Sequence, residues 1–153
     1  MQHAARVDQP EPGLRARVEA ALAGKPVRLA RIETAVAVPD RVHGLLPDRD
    51  GGFLVCANRP GPWLMRCAAD GEVLARQVLE DEKSGRTLNG HAAFDPAGEW
   101  LYTTESETGS TQGWIAVRRR DSLRKEAEFS TRGIEPHELL FDAEGKIAPV
   151  RDW

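Results

Sequence analysis

The chain has 153 residues, of which 41% are hydrophobic and 29% charged, with a net charge of −3. That balance suits one folded, water-facing domain and argues against nucleic acid or an anionic membrane surface as a partner. No stretch approaches the ~20 apolar residues of a membrane-spanning helix.

The N-terminal run MQHAARVDQPEPG is polar and broken by Pro10 and Pro12, so it lacks the basic, apolar, small-residue succession of an export signal. Leu14, Val18, Ala21 and Leu22 then fall at helical spacing between Pro12-Gly13 and Gly24-Lys25-Pro26. An isolated helix this short is marginal, so residues 1–26 are expected to form an arm, helical or disordered. Residues 27–153 are expected to form the folded domain. Within it, 27–38 carries β-branched residues in partial alternation and reads as outer-strand material.

Further strands are expected at Phe53–Ala57, Trp63–Cys67, Val73–Val78, His91–Phe94, Trp100–Thr104, Trp114–Arg119 and Ala127–Ser130. The first two flank Asn58-Arg59-Pro60-Gly61-Pro62, where Pro60 and Gly61 suit the centre of a type II turn. Cys56 and Cys67 lie on the two arms of that hairpin, and the turn alone does not fix whether they face each other. A cross-strand disulfide and two separate buried thiols therefore both stay open. Arg118-Arg119-Arg120 reads as a solvated strand end, and Trp63, Trp100 and Trp114 read as packing aromatics.

Three histidines recur in one frame: His43 in RVHGLLPDRDGG, His91 in NGHAAFDPAGEW and His137 in EPHELLFDAEGK. The intervals are 91 − 43 = 48 and 137 − 91 = 46 residues. Asp48, Asp95 and Asp142 follow in step, each with a glycine after it (Gly51, Gly98 and Gly145). An Asp before Gly between strands is first a turn residue. A period of roughly 40–50 residues built from short strands and Gly turns marks β-propeller blades. The expected fold is all-β: a partial propeller of two to three four-stranded antiparallel blades, with each His opening an innermost strand.

Gly90-His91, Leu101-Tyr102-Thr103-Thr104-Glu105, Gly113 through Val117, and Gly133-Ile134-Glu135-Pro136-His137-Glu138 carry a family resemblance. Together with Arg41-Val42-His43-Gly44 and Asn58-Arg59-Pro60-Gly61, they resemble the bacterial family called domain of unknown function 1513. The similarity spans about residues 27–146. It implies a seven-bladed, YVTN/WD-repeat-like propeller, usually exported through the twin-arginine route to the periplasm and associated with iron-uptake proteins. Members are more than twice this long, so a truncated product is expected, cytoplasmic if complete, with open blade edges that favour self-association.

Inner strands line a propeller's channel, so His43, His91 and His137 are expected to converge there. Neutral imidazole is a good ligand for a first-row transition metal, and Glu105 and Glu138 are candidates for further ligands or for acceptors that fix the His tautomers. The competing role is structural, each His capping a blade-to-blade turn through a backbone carbonyl. No nucleophile elbow, phosphate-binding loop or His-Glu-x-x-His helix is present. Two functions follow: a non-enzymatic binding or scaffold protein linked to iron acquisition, or a metal-dependent propeller enzyme of lactonase or oxidoreductase type.

Overall fold

The computed structural model describes residues 34–147. The expected N-terminal arm, His3, residues 27–33 and Trp153 lie outside them. Residues 34–38 form no strand, which corrects the outer-strand reading for that part of the segment.

Eight strands follow in chain order: β1 (Val42–Pro47), β2 (Phe53–Ala57), β3 (Trp63–Cys67), β4 (Val73–Val78), β5 (Arg86–Phe94), β6 (Trp100–Glu107), β7 (Gln112–Arg119) and β8 (Lys125–Ile134). A single 3-10 turn, Leu79–Glu82, joins β4 to β5. The strands make two four-stranded antiparallel meanders, β1-β2-β3-β4 and β5-β6-β7-β8. The fold is all-β, and the two sheets have the form of successive propeller blades.

Each first hairpin turns at the repeated Asp. Asp48, Asp95 and Asp142 each accept a bond at their carbonyl from the following Gly51, Gly98 or Gly145 N–H. The carboxylate of Asp95 also accepts from the backbone of Glu99 and Trp100, and that of Asp142 from Glu144 and Lys146. Gly51, Gly98 and Gly145 all adopt positive φ, which glycine reaches without a Cβ penalty. The third turn belongs to the beginning of a third repeat, where Phe141 bridges Ile147.

Leu54, Cys56, Leu64, Leu79, Leu88, Leu101 and Leu123 form one buried cluster between the blades. β5 packs against both β1 and β2. A backbone bridge reinforces the seam: the Gly61 N–H donates to Leu88 O at 3.0 Å, and the Leu88 N–H returns to Gly61 O at 2.8 Å. Gly61 therefore serves the seam and not a type II turn. The Arg59–Pro60 peptide before it is cis, and Gly61 has no positive φ.

Two of the three consecutive arginines are buried, against the expectation of a solvated strand end. Arg118 is fully buried: its Nη2 donates to Glu105 at 2.7 Å, and its Nη1 pairs with Glu82 across the seam. The Arg120 Nε donates to Asp48 at 2.8 Å, and Asp48 also accepts from Arg66 Nε at 2.6 Å. Only Arg119 is exposed, with its guanidinium 4.2 Å over the Trp100 ring. Buried guanidinium groups need such partners, because an unpaired charge in the interior costs several kcal/mol.

Candidate metal centre

His43 is the second residue of β1 and sits at a bulge. Val42 pairs with Ala57 and Gly44 with Cys56, so His43 is extra to the ladder. His91 occupies the equivalent place in β5, between the Leu88–Glu105 and Ala92–Thr103 pairs. Bulges re-aim side chains that a regular pleat would send elsewhere. In β5 the Thr104 hydroxyl donates to His91 O at 3.1 Å, satisfying a carbonyl that the broken ladder leaves free. His91 thus lies inside its innermost strand and does not open it, because β5 starts five residues earlier than expected. His137 follows the end of β8 and precedes the third Asp turn.

The three rings converge. Ring centroids lie 4.3 Å apart for His91 and His137, 4.9 Å for His43 and His91, and 6.3 Å for His43 and His137. One ligand nitrogen from each ring lies within 4.8 Å of the other two. His43 Nε2 and His91 Nε2 lie 3.0 Å apart and are joined by a hydrogen bond. The tautomers decide which ring donates. Two nitrogens bound to one tetrahedral metal at about 2.0–2.1 Å would be about 3.3 Å apart, so this pair is already close to ligand spacing.

Among the described residues these two rings bond each other. Close approach is possible because glycine lines the contact: a Cβ at Gly44 would collide with Gly90 O, and one at Gly90 would collide with the His43 ring. His91 is held below the usual imidazole range, first by burial and then by the positive charge its neighbours His137 and His43 would carry. Arg59 acts in the same direction and Glu138 opposes it. A ring kept neutral offers its lone pair to a cation. His43 is exposed, so the cluster is reachable from solvent.

The two candidate glutamates part company. Glu138 is exposed and close enough to His91 to act on its charge. Glu105 is fully buried and accepts from the Thr103 hydroxyl at 2.8 Å and from Arg118. Lys125 Nζ stands 3.9 Å from its other oxygen. Its carboxylate belongs to a charge network that includes Glu82, and among the described residues the clustered potential ligands are the three histidines. A residue that the sequence reading did not single out, Asn89, is 2% exposed and bonded beside the cluster.

An all-β chain of propeller-like blades that brings together one histidine from each of three repeats defines a β-propeller-type protein with a candidate metal centre. The family described as protein of unknown function (DUF1513) matches residues 36–150, and the chain belongs to that family. Among curated proteins, none matches the chain.

Proposed function

We propose that this protein binds a first-row transition cation through His43, His91 and His137, with Glu138 supporting the site electrostatically. The observation that carries the reading is the convergence of one imidazole nitrogen from each of three successive repeats within 4.8 Å. Three imidazole nitrogens suit zinc, copper or iron and not the oxygen-seeking calcium or magnesium. The role is non-enzymatic binding. The resemblance to exported, iron-associated relatives makes iron handling in the bacterial envelope the preferred setting. Val42, Leu45, Phe129, Ile134 and Leu140 are exposed apolar side chains, and they support self-association or an envelope protein as partner.

A metal-dependent enzyme is the second reading. What favours it is the ligand count, because three protein ligands leave a fourth position for water or substrate.

The test is metal content and calorimetric titration of the protein with zinc, copper and ferrous iron. One cation per chain is expected, lost in His91→Ala and His137→Ala without unfolding. Variants that melt early while keeping their metal, or an unmodified protein that takes up none, would overturn the proposal.

A further inference from the structure

We infer that Asn89 is a positioning residue for the third ligand, holding the segment that delivers His137 against the bulge that carries His91. This rests on the three-histidine reading. The two bulged histidines are placed by sheet structure: β1 and β5 are paired strands, and the Gly61–Leu88 bridge fastens β5 to the first blade. His137 lies outside the eight strands. It comes after β8, beyond Glu135 at φ 46°, a left-handed backbone position.

What crosses to that segment is the Asn89 amide. Its Nδ2 donates to Pro136 O at 3.0 Å, the carbonyl immediately before His137, and to Ser106 Oγ at 2.9 Å on β6. Asn89 is 2% exposed and Pro136 is buried, so water does not readily replace the bond. Glu135 is tied as well, by its backbone N–H to Thr111 O at 2.9 Å and by an ion pair to Arg59 whose side chains are 39% and 27% exposed and which is correspondingly weak. The chemistry calls for an amide at 89. Two donors are needed, one for each side of the crossing, and a carboxylate of the same shape would turn acceptors toward the Pro136 carbonyl.

The test uses the full chain, Co²⁺ as the probe, and the variants Asn89→Asp, Asn89→Ala and His137→Ala. Both Asn89 variants should bind Co²⁺ about 10–100-fold more weakly, with a visible spectrum altered from that of the unmodified protein, whereas His137→Ala should lose the ion. In metal-free protein, NMR contacts between the His91 and His137 rings should disappear, while those between His43 and His91 persist. A merely structural Asn89 would lower the melting temperature and leave the Co²⁺ spectrum and the ring contacts alone. Ser106→Ala, which keeps the bond to Pro136, should retain both and guards against a general folding effect. If the unmodified protein binds no Co²⁺ but the ring contact still depends on Asn89, the metal reading falls and the positioning role stands. If the Asn89 variants bind Co²⁺ as the unmodified protein does, with the ring contact intact, the positioning role falls and the metal reading stands.

Discussion

Gly90 lies directly against the imidazole of His43: a Cβ built on this glycine would stand 2.6 Å from Cδ2 and 2.8 Å from Cγ of the ring. The same residue has φ +87°, inside the β5 bulge that carries His91. One glycine therefore does two things at the cluster. It supplies the backbone turn that aims His91, and it leaves the space that His43 fills.

Replacing Gly90 by Ala should therefore both destabilise the fold and separate two ligands. Positive φ costs a non-glycine residue about 1–2 kcal/mol before the clash is counted. The expected result is a lowered melting temperature together with weakened metal binding, measured on the same preparation. Gly85, also at positive φ but with open space around it, is the control. Gly85→Ala should cost stability and leave metal binding unchanged. Equal metal affinity in the unmodified protein and Gly90→Ala would refute the packing role.

The blade seam offers a second prediction. Arg120 immediately follows β7 of the second blade, and Asp48 lies in the first hairpin of the first blade, with side chains 6% and 1% exposed. Removing Arg120 leaves Asp48 with Arg66 alone, in a place that water does not reach. Arg120→Ala should destabilise by about 3 kcal/mol. A joint Asp48→Leu and Arg120→Met replacement should not recover that loss, because it takes from Arg66, whose side chain is 8% exposed, its buried partner and leaves it only the exposed Asp50. Urea unfolding of the single and double variants gives the comparison.

These contacts explain what could and could not be read from the chain. The β2, β3 and β4 boundaries were legible because Pro60-Gly61 and Asp70-Gly71 punctuate short apolar runs. The histidine cluster was legible because repetition in a radial fold brings equivalent positions together. β5 was foreseen too short, since Arg86 and its neighbours look like charged loop. In the fold the Arg86 guanidinium lies 4.0 Å over the Trp114 ring and its Nη2 donates to Glu128, so its charge is compensated on the strand. Arg118 and Arg120 misled for a related reason. Their partners Glu82 and Asp48 lie 36 and 72 residues away, and no local pattern announces a pair at that separation. Glu105 alternates with exposed-looking neighbours, and only the seam reveals that it faces Arg118. Asn89 gave no signal, being one polar residue in a stretch that already looked like loop.

Acid should weaken the protein in two separate windows. Burial acts to raise Asp48, but hydrogen bonds from Arg120 and Arg66 outweigh it and hold the carboxyl below its ordinary 3.8. A carboxylate depressed in the folded state contributes stability that is present above that ordinary value and lost as pH falls through the lower folded one. His91, lowered from 6.5 chiefly by burial, contributes stability that is present above 6.5 and lost as pH falls through its folded value. Protons also compete with the cation for the rings, so metal binding should fall below about pH 6. Stability measured against pH should lose its lower step in Asp48→Asn and its upper step in His91→Ala. A single unaltered acid transition in both variants would contradict these assignments.

Cys56 and Cys67 should remain thiols. Antiparallel pairing sets Cys56 opposite Leu64 and Cys67 opposite Phe53, three places away along the hairpin. Side chains alternate faces with a period of two, so an odd offset sends the two sulfurs to opposite sides of the sheet. A disulfide would require the pairing to slip, and with it the whole apolar set that Leu54, Cys56 and Leu64 contribute to the seam. Both residues are fully buried and free. Burial pushes the Cys56 thiol up to about 12, partly opposed by the positive charge of Arg118, and raises Cys67 as well. Since the thiolate is the reactive form, alkylation of the native protein should be slow at neutral pH and become rapid only on unfolding in urea. Intact-mass measurement after mild oxidation should show both hydrogens retained. Fast native labelling of either residue, or loss of two hydrogens without dimer formation, would show that the hairpin register differs from the one described.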